Sequence, residues 1–250
     1  MIKVGLYEDM DNRDRLFDFV RFRSTKAGSV GLKDYIAGLK TNQTAIYYLT
    51  AENAAKADRS PQLEGYRARG VEVLLLTDPV DSFWVRTALG YEGKPFTSVT
   101  MGAAGLDAIA LIGDAAAPEA DAAATGTLIA LMKQTLGGKV RDVRKSSRLT
   151  GSAVCLVADG EGLDRTLEKL LAKQKTAGVD VSAPILEINP SHALIAALAK
   201  AAKSGKATAE IEVAARLLLD TARVLEGEPV DDPHAFADSL QALLERTLPA

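Results

Sequence analysis

A single cysteine, Cys155, stands in a chain of 250 residues, beside one tryptophan and two histidines. One thiol cannot close an intrachain disulfide, and it excludes four-cysteine zinc sites and two-cysteine redox motifs, so a reducing, cytoplasmic setting fits. Basic excess is missing too. Thirty Lys+Arg against 33 Asp+Glu leave a net charge of -3, which removes the electrostatic basis for general binding to nucleic acid or acidic membranes. No run approaches the roughly 20 uncharged apolar residues of a membrane span. The opening MIKVGLYEDMDNRDRL carries charge from its third residue and lacks the apolar stretch of a secretory signal. Nucleotide fingerprints are absent: neither GxxxxGK[ST] nor GxGxxG occurs, and Gly137-Gly138-Lys139 follows a helical pattern where a phosphate loop would precede one. His192 and His234 have no HExxH partner and read as helix N-terminal surface residues. The expectation is no catalytic, cofactor-binding or metal-ligating set.

What is present is a globular balance of 47% hydrophobic and 25% charged residues. The first hundred residues alternate between strand and helix patterns. Asp11 or Asn12 can cap a helix near 13–19, followed by a strand at 20–23. Ser29 can cap the segment Leu32-Tyr35-Ile36-Leu39, whose i, i+3, i+4, i+7 spacing makes one apolar helical face. The runs at 45–50 (AIYYLT) and 71–77 (VEVLLLT) are apolar on both faces and are separated by helical sequence that stops at Gly70. Such strands require a mostly parallel sheet covered on both sides. Residues 1–110 are therefore expected to form a three-layer, Rossmann-like α/β subdomain.

Eleven of the 25 residues at 102–126 are alanine, with four glycines and one proline and no aromatic. So little bulk offers little core, and residues 111–126 read as an Ala-rich linker with some helical character. Residues 127–250 read as a small α+β domain: a helix at 128–136, strands at 140–143, 153–158 and 185–188, a helix at 163–174, and a helix to about residue 203 capped by Asn189 with Pro190 in its first turn. Helices at 208–226 and 234–248 finish it.

On a wheel of 100° per residue, Ile211, Ala214, Ala215, Leu218, Ala222 and Leu225 share one stripe, while Val213, Leu217 and Val224 form a second about 140° away. One face can dock on its own domain. The other needs the final helix, with its stripe of Phe236, Leu240, Leu243 and Leu244, or a second copy of the chain. The pattern predicts a homodimer, with a purely intramolecular bundle as the alternative.

Four further features have two readings each. Cys155 lies in the apolar run AVCLVA, where a thiol reads as a small core hydrophobe and not a nucleophile. Arg141, Arg144, Lys145 and Arg148 read as a charged edge strand and loop, or as a contact for phosphate or an acidic protein surface. Phe83-Trp84, and the face made by Leu163, Leu167, Leu170 and Leu171, suit a core or an interface.

Several long strings then carry a resemblance: VRFRST, GLKDYIAGLK, QTAIYYLTA, SPQLEGYRARGVEVLLLTDPVD, GKPFTSV, VRDVRKSSRLTGSAVCLVAD, LEKLLAK, PILEINPSHALI and ARLLLDTARVLEGEPVDDPHAFADSLQALL. In this order they resemble the ninety-kilodalton heat-shock chaperones (Hsp90), bacterial HtpG type, from the last part of the middle domain through the C-terminal dimerisation domain. The family is a homodimeric, ATP-driven clamp acting on client proteins. The resemblance implies that the ATP and Mg sites lie in a domain outside this chain, so the chain alone is no enzyme and needs no cofactor. It implies an intersubunit bundle of the last two helices, the dimerisation helices, through Val213, Leu217, Leu218, Val224, Phe236, Leu240, Leu243 and Leu244. It implies contact with unfolded or partly folded clients through Phe83, Trp84, Leu163, Leu167, Leu170 and Leu171. Relatives commonly carry methionine at the positions of Leu163 and Leu167, and leucine loses that flexible thioether. The ending Leu248-Pro249-Ala250 lacks the acidic peptide that recruits tetratricopeptide cochaperones, so no such partner is implied. From a different class, a Rossmann-like small-molecule enzyme with a helical oligomerisation tail is the alternative.

Overall fold

Strands of consecutive apolar side chains need cover on both faces, and this chain supplies it. The computed structural model describes residues 2–26, 28–101, 105–113, 121–158, 182–205 and 208–247. The chain divides into two units, residues 1–115 with 158–181, and residues 116–157 with 182–250. In the first, the sheet order is β1-β3-β2-β4, from β1 (Arg23–Ser24), β2 (Ile46–Thr50), β3 (Leu74–Leu76) and β4 (Phe96–Ser98). β2 runs parallel to β3 and β4, with Leu49 opposite Leu75 and Tyr48 opposite Ser98, and only β1 is antiparallel. Alternation along each strand sends Ile46, Tyr48, Leu74 and Leu76 into one core and Tyr47, Leu49 and Leu75 into another. The first core is closed by α1 (Ile2–Glu8), α2 (Arg13–Phe17), α3 (Leu32–Ala37) and α6 (Asp81–Thr87), through Leu6, Phe17, Tyr35 and Trp84. The second is closed by α4 (Ala54–Asp58) and α5 (Glu64–Ala68), with Leu63 and Tyr66. The α/β character and mostly parallel sheet match expectation.

Local details differ for identifiable reasons. The strand expected at 20–23 starts later because the Val20 amide still donates to the Leu16 carbonyl at 3.2 Å, and pairing begins only with the Phe22–Val30 bridge. The α3 N-cap is Gly31, without a side-chain bond, and not Ser29. Helical sequence between 51 and 69 is broken at Pro61, where Ser60 accepts a bond from the Gln62 amide and starts a new turn.

The second unit builds a three-stranded sheet, order β5-β7-β6, from β5 (Asp142–Lys145), β6 (Val154–Val157) and β7 (Ile185–Ile188). β5 and β7 are parallel, and β6 and β7 antiparallel. Val143, Val154, Leu156, Leu186 and Ile188 meet α7 (Ala122–Leu136), α8 (Ala193–Ser204) and α9 (Thr208–Leu225) in one core. Cys155, Val157 and Ile185 point to the opposite face with Leu149. α10 (Pro233–Thr247) follows α9.

Two expectations are corrected here. Helix α7 starts at Ala122, inside the stretch read as linker, where Asp121 caps it by accepting from the Ala123 and Ala124 amides at 3.0 and 3.3 Å. Ala124 joins Ala199, Ala202, Ala215 and Ala222 in the core. Small side chains here let helices approach closely, so a lack of bulk was no sign of a lack of packing. The α8 cap is His192, whose Nδ1 accepts from the Leu194 amide at 3.2 Å, because Asn189 is committed elsewhere: its amide group donates to the Ser152 carbonyl at 3.0 Å.

Candidate interaction surfaces

The stripe of Ile211, Ala215, Leu218 and Ala222 seals α9 onto its own unit, joined by Leu219, which the wheel did not assign to it. The opposite stripe is left open. Val213, Val224, Leu240, Leu243 and Leu244 are between 38% and 55% exposed, and Leu217 and Phe236 are half-buried where α9 and α10 meet. No side chain of α10 from Pro233 to Glu245 is buried. A helix of 15 residues whose apolar stripe faces water has little to hold it, because most helical stability in proteins comes from packing of that stripe.

Charge and backbone geometry join α9 to α10. Gly227, at φ +71°, ends α9 with the Glu228 amide on the Arg223 carbonyl at 2.8 Å and the Gly227 amide on that of Val224 at 3.0 Å, a Schellman closure. Asp231 then takes ion pairs from Arg223 and, at 3.4 Å, from Lys139. Its neighbour Asp232 caps α10 through the amides of His234 and Ala235 at 3.1 and 3.0 Å. Arg223 beside Asp231 holds that carboxyl below the usual range, whereas burial pushes Asp220 up.

In the first unit Phe83 is 41% exposed on α6 and meets the exposed ring of Tyr7 on α1, centroids 5.8 Å apart and planes tilted at 55°. Sequence reading missed Tyr7, since the two are 76 positions apart and only the packing of α1 on α6 joins them. Trp84 corrects an expectation. It is fully buried, stacked edge-on to Phe17 and Phe96, with its indole N–H donating to Asp81 at 2.8 Å. Asp81 in turn holds Lys3 at 2.8 Å. Successive helical positions point about 100° apart, so one of the pair had to turn inward.

A polar cleft of about 730 Å³ lies between α2 and the hairpin that precedes β4. Tyr91 donates to Asp18 at 2.9 Å, and Lys33 pairs with the same carboxylate at 3.0 Å. Lys33 and Tyr91 hold the Asp18 carboxyl down, while burial and Asp18 push the Tyr91 phenol up. Both shifts lead away from neutrality, the wrong direction for an acid–base pair. Among the described residues no group of His, Cys, Asp or Glu could hold a metal ion, and no helix is long and apolar enough to cross a membrane.

The family model for Hsp90 protein matches residues 1–250. The chain belongs to the Hsp90 family. It is 53% identical over its whole length to the chaperone protein HtpG of Azorhizobium caulinodans, covering 40% of that protein. Identity to the HtpG of Rhizobium meliloti is 52% over 99% of this chain and 39% of the relative, and to that of Roseobacter denitrificans 46% over 99% and 41%. The Hsp90-family chain thus spans about 40% of the length of these chaperones.

Placed on this Hsp90-family fold, the expected contact residues separate into groups. Leu218 is 6% exposed and belongs to the core of its own unit, which corrects its assignment to a subunit contact. Val213, Leu217, Val224, Phe236, Leu240, Leu243 and Leu244 lie together on the α9–α10 hairpin with exposed or half-exposed side chains. Of the client-contact set, Phe83 is at the surface and Trp84 is not; Leu163, Leu167, Leu170 and Leu171 lie outside the described residues. Cys155 is buried, as expected of a core thiol. The basic cluster holds a buried member, Arg148, which sequence reading placed at a solvated edge.

Proposed function

We propose that this chain is the dimerisation and client-binding portion of an HtpG-type chaperone. Residues 1–110, read as Rossmann-like, would be the last part of the middle domain, and the residues from α7 (Ala122–Leu136) onward the C-terminal dimerisation domain. The observation that carries the reading is the hairpin of α9 and α10, whose apolar stripe is left open to water. Burying a half-exposed Val or Leu is worth about 1 kcal/mol. Five such residues from each of two copies approach the roughly 4–15 kcal/mol that association costs. A homodimer is the occupant this self-complementary stripe suits.

Client proteins would be held by apolar surface presented twice in one dimer, so that two weak contacts act together on an extended chain. Phe83 and, beyond the described residues, Leu163, Leu167, Leu170 and Leu171 are the proposed contacts. The ATP and Mg sites, and with them hydrolysis, belong to the remainder of the parent protein, which acts in the cytoplasm and binds neither nucleic acid nor membrane. The test pairs two measurements on the chain as it stands. Sedimentation velocity over a concentration series should give a dimer, and an unfolding substrate should aggregate less in its presence without nucleotide. A monomer at every concentration refutes the dimerisation reading. Tight nucleotide binding without any effect on aggregation would favour a Rossmann-like enzyme with an oligomerisation tail.

A further inference from the structure

We propose that Asp231 is a positioning residue for dimerisation: clasped by Arg223 and Lys139, it sets the direction in which α10 presents Leu240, Leu243 and Leu244 to a second copy of the chain. The inference rests on the dimer reading above and adds the device that orients its surface.

Packing alone leaves α10 poorly anchored. None of its side chains from Pro233 to Glu245 is buried, and Phe236, half-buried, lines a small crevice with Leu217, Leu219 and Ala235. The backbone, by contrast, is tied at both ends of the connection. The Schellman closure at Gly227 ends α9, and Asp232 starts α10 by capping the His234 and Ala235 amides. Between these lies Asp231, adjacent to the cap, drawn sideways by two cations from different elements: Arg223 on α9, whose side chain is only 11% exposed, and Lys139 in the turn before β5. A carboxylate held from two directions fixes the position of the residue next to it, and that residue is where the helix begins. The same crevice is lined by Arg216, Asp220 and Asp232. Its two cations, Lys139 and Arg216, and three anions, with Arg223 paired to Asp231, make the hold electrostatic, and so sensitive to salt.

The experiment is sedimentation equilibrium of the full chain at 0.1 M and 1 M NaCl, where the Debye length falls from about 10 Å to about 3 Å. The wild-type dimer should weaken with salt. Asp231→Asn should weaken it about tenfold at low salt, equal to about 1.4 kcal/mol, and should abolish most of the salt response; Asp231→Glu should restore much of both. A spin-label distance between Thr221 on α9 and Gln241 on α10, both exposed, measured in labelled chain diluted with unlabelled chain, should broaden in Asp231→Asn and narrow again in Asp231→Glu. A general loss of stability would not be reversed by salt matching and would lower the melting temperature, which should stay within a few degrees. A wild-type dimer whose affinity, salt response and α9–α10 distance are all unchanged by Asp231→Asn overturns the clasp while leaving dimerisation standing. A wild-type chain that never dimerises removes both.

Discussion

Arg148 Nε and Glu187 Oε2 lie 3.0 Å apart, with side chains 0% and 4% exposed, on the face of the β5-β7-β6 sheet that carries Cys155. The same carboxylate takes Arg144 Nη2 at 2.8 Å and the Ser146 hydroxyl at 2.9 Å. Removing one member leaves the other with fewer counter-charges in the interior, Glu187 keeping Arg144. Arg148→Met or Glu187→Gln should destabilise by up to about 3–5 kcal/mol, whereas an apolar replacement of both should recover part of the loss. Urea unfolding of the two single variants and the double variant checks this; additive losses would show that the two residues act separately.

The open stripe on the hairpin makes a second prediction. Leu217→Asp with Leu240→Asp should yield folded monomers, because each carboxylate would need desolvation to enter a subunit contact. Sedimentation should report the monomer while circular dichroism keeps its helical signal. A variant that remains dimeric places the contact elsewhere.

Neighbouring aromatics on α6 should behave in opposite ways. Phe83→Ser should reduce binding of an unfolded client with little change in melting temperature, since the ring is partly in water already. Trp84→Ala should cost about 3–5 kcal/mol by opening a cavity among Phe17, Phe22 and Phe96. Client affinity and thermal melts, measured side by side, separate the two. A large stability loss in Phe83→Ser would assign that ring to the core.

Asp220 and Asp231 line one crevice with opposite shifts, raised by burial and lowered by Arg223 respectively. A raised carboxyl favours its protonated form in the folded state, so its charge destabilises at neutral pH, and that penalty fades as pH falls through the raised value toward the unfolded one. Asp220→Asn should therefore raise the melting temperature at pH 7 and lose that advantage near pH 4. Asp231→Asn should do the reverse, by no more than a few degrees, because the stability supplied by a lowered carboxyl is present above its unfolded value and is lost in acid. Melting curves from pH 4 to pH 8 on both variants check the signs, and equal pH profiles for the two would contradict them.

Much of this was legible in residue order. Runs such as AIYYLT and VEVLLLT are apolar on successive positions, and a strand with no polar face has no solution but cover on both sides. The two stripes of α9 follow from the 100° step alone, and they separated Ile211, Ala215 and Ala222 from Val213 and Val224, although Leu225, placed with the first, is 51% exposed at the end of the helix. Family membership, too, was carried by ordered strings of residues.

Other features depend on which segments meet. Periodicity states that a helix has an apolar side without stating which of two adjacent aromatics owns it, so Phe83 and Trp84 were separated only once α6 had docked on the sheet. Alanine content cannot distinguish a thin linker from a close-packed helix, and for residues 122–126 the packing of α7 decided for the latter. Arg148 looks like any surface cation until Glu187, 39 positions away, is brought against it in the interior. Tyr7 gains its meaning from Phe83, and Asp231 from Arg223 and Lys139. Sequence determined what each segment must bury, because hydrophobic burial is written in the local pattern. Tertiary structure decided the partners, since charge pairing and close packing depend on distances that no local pattern encodes.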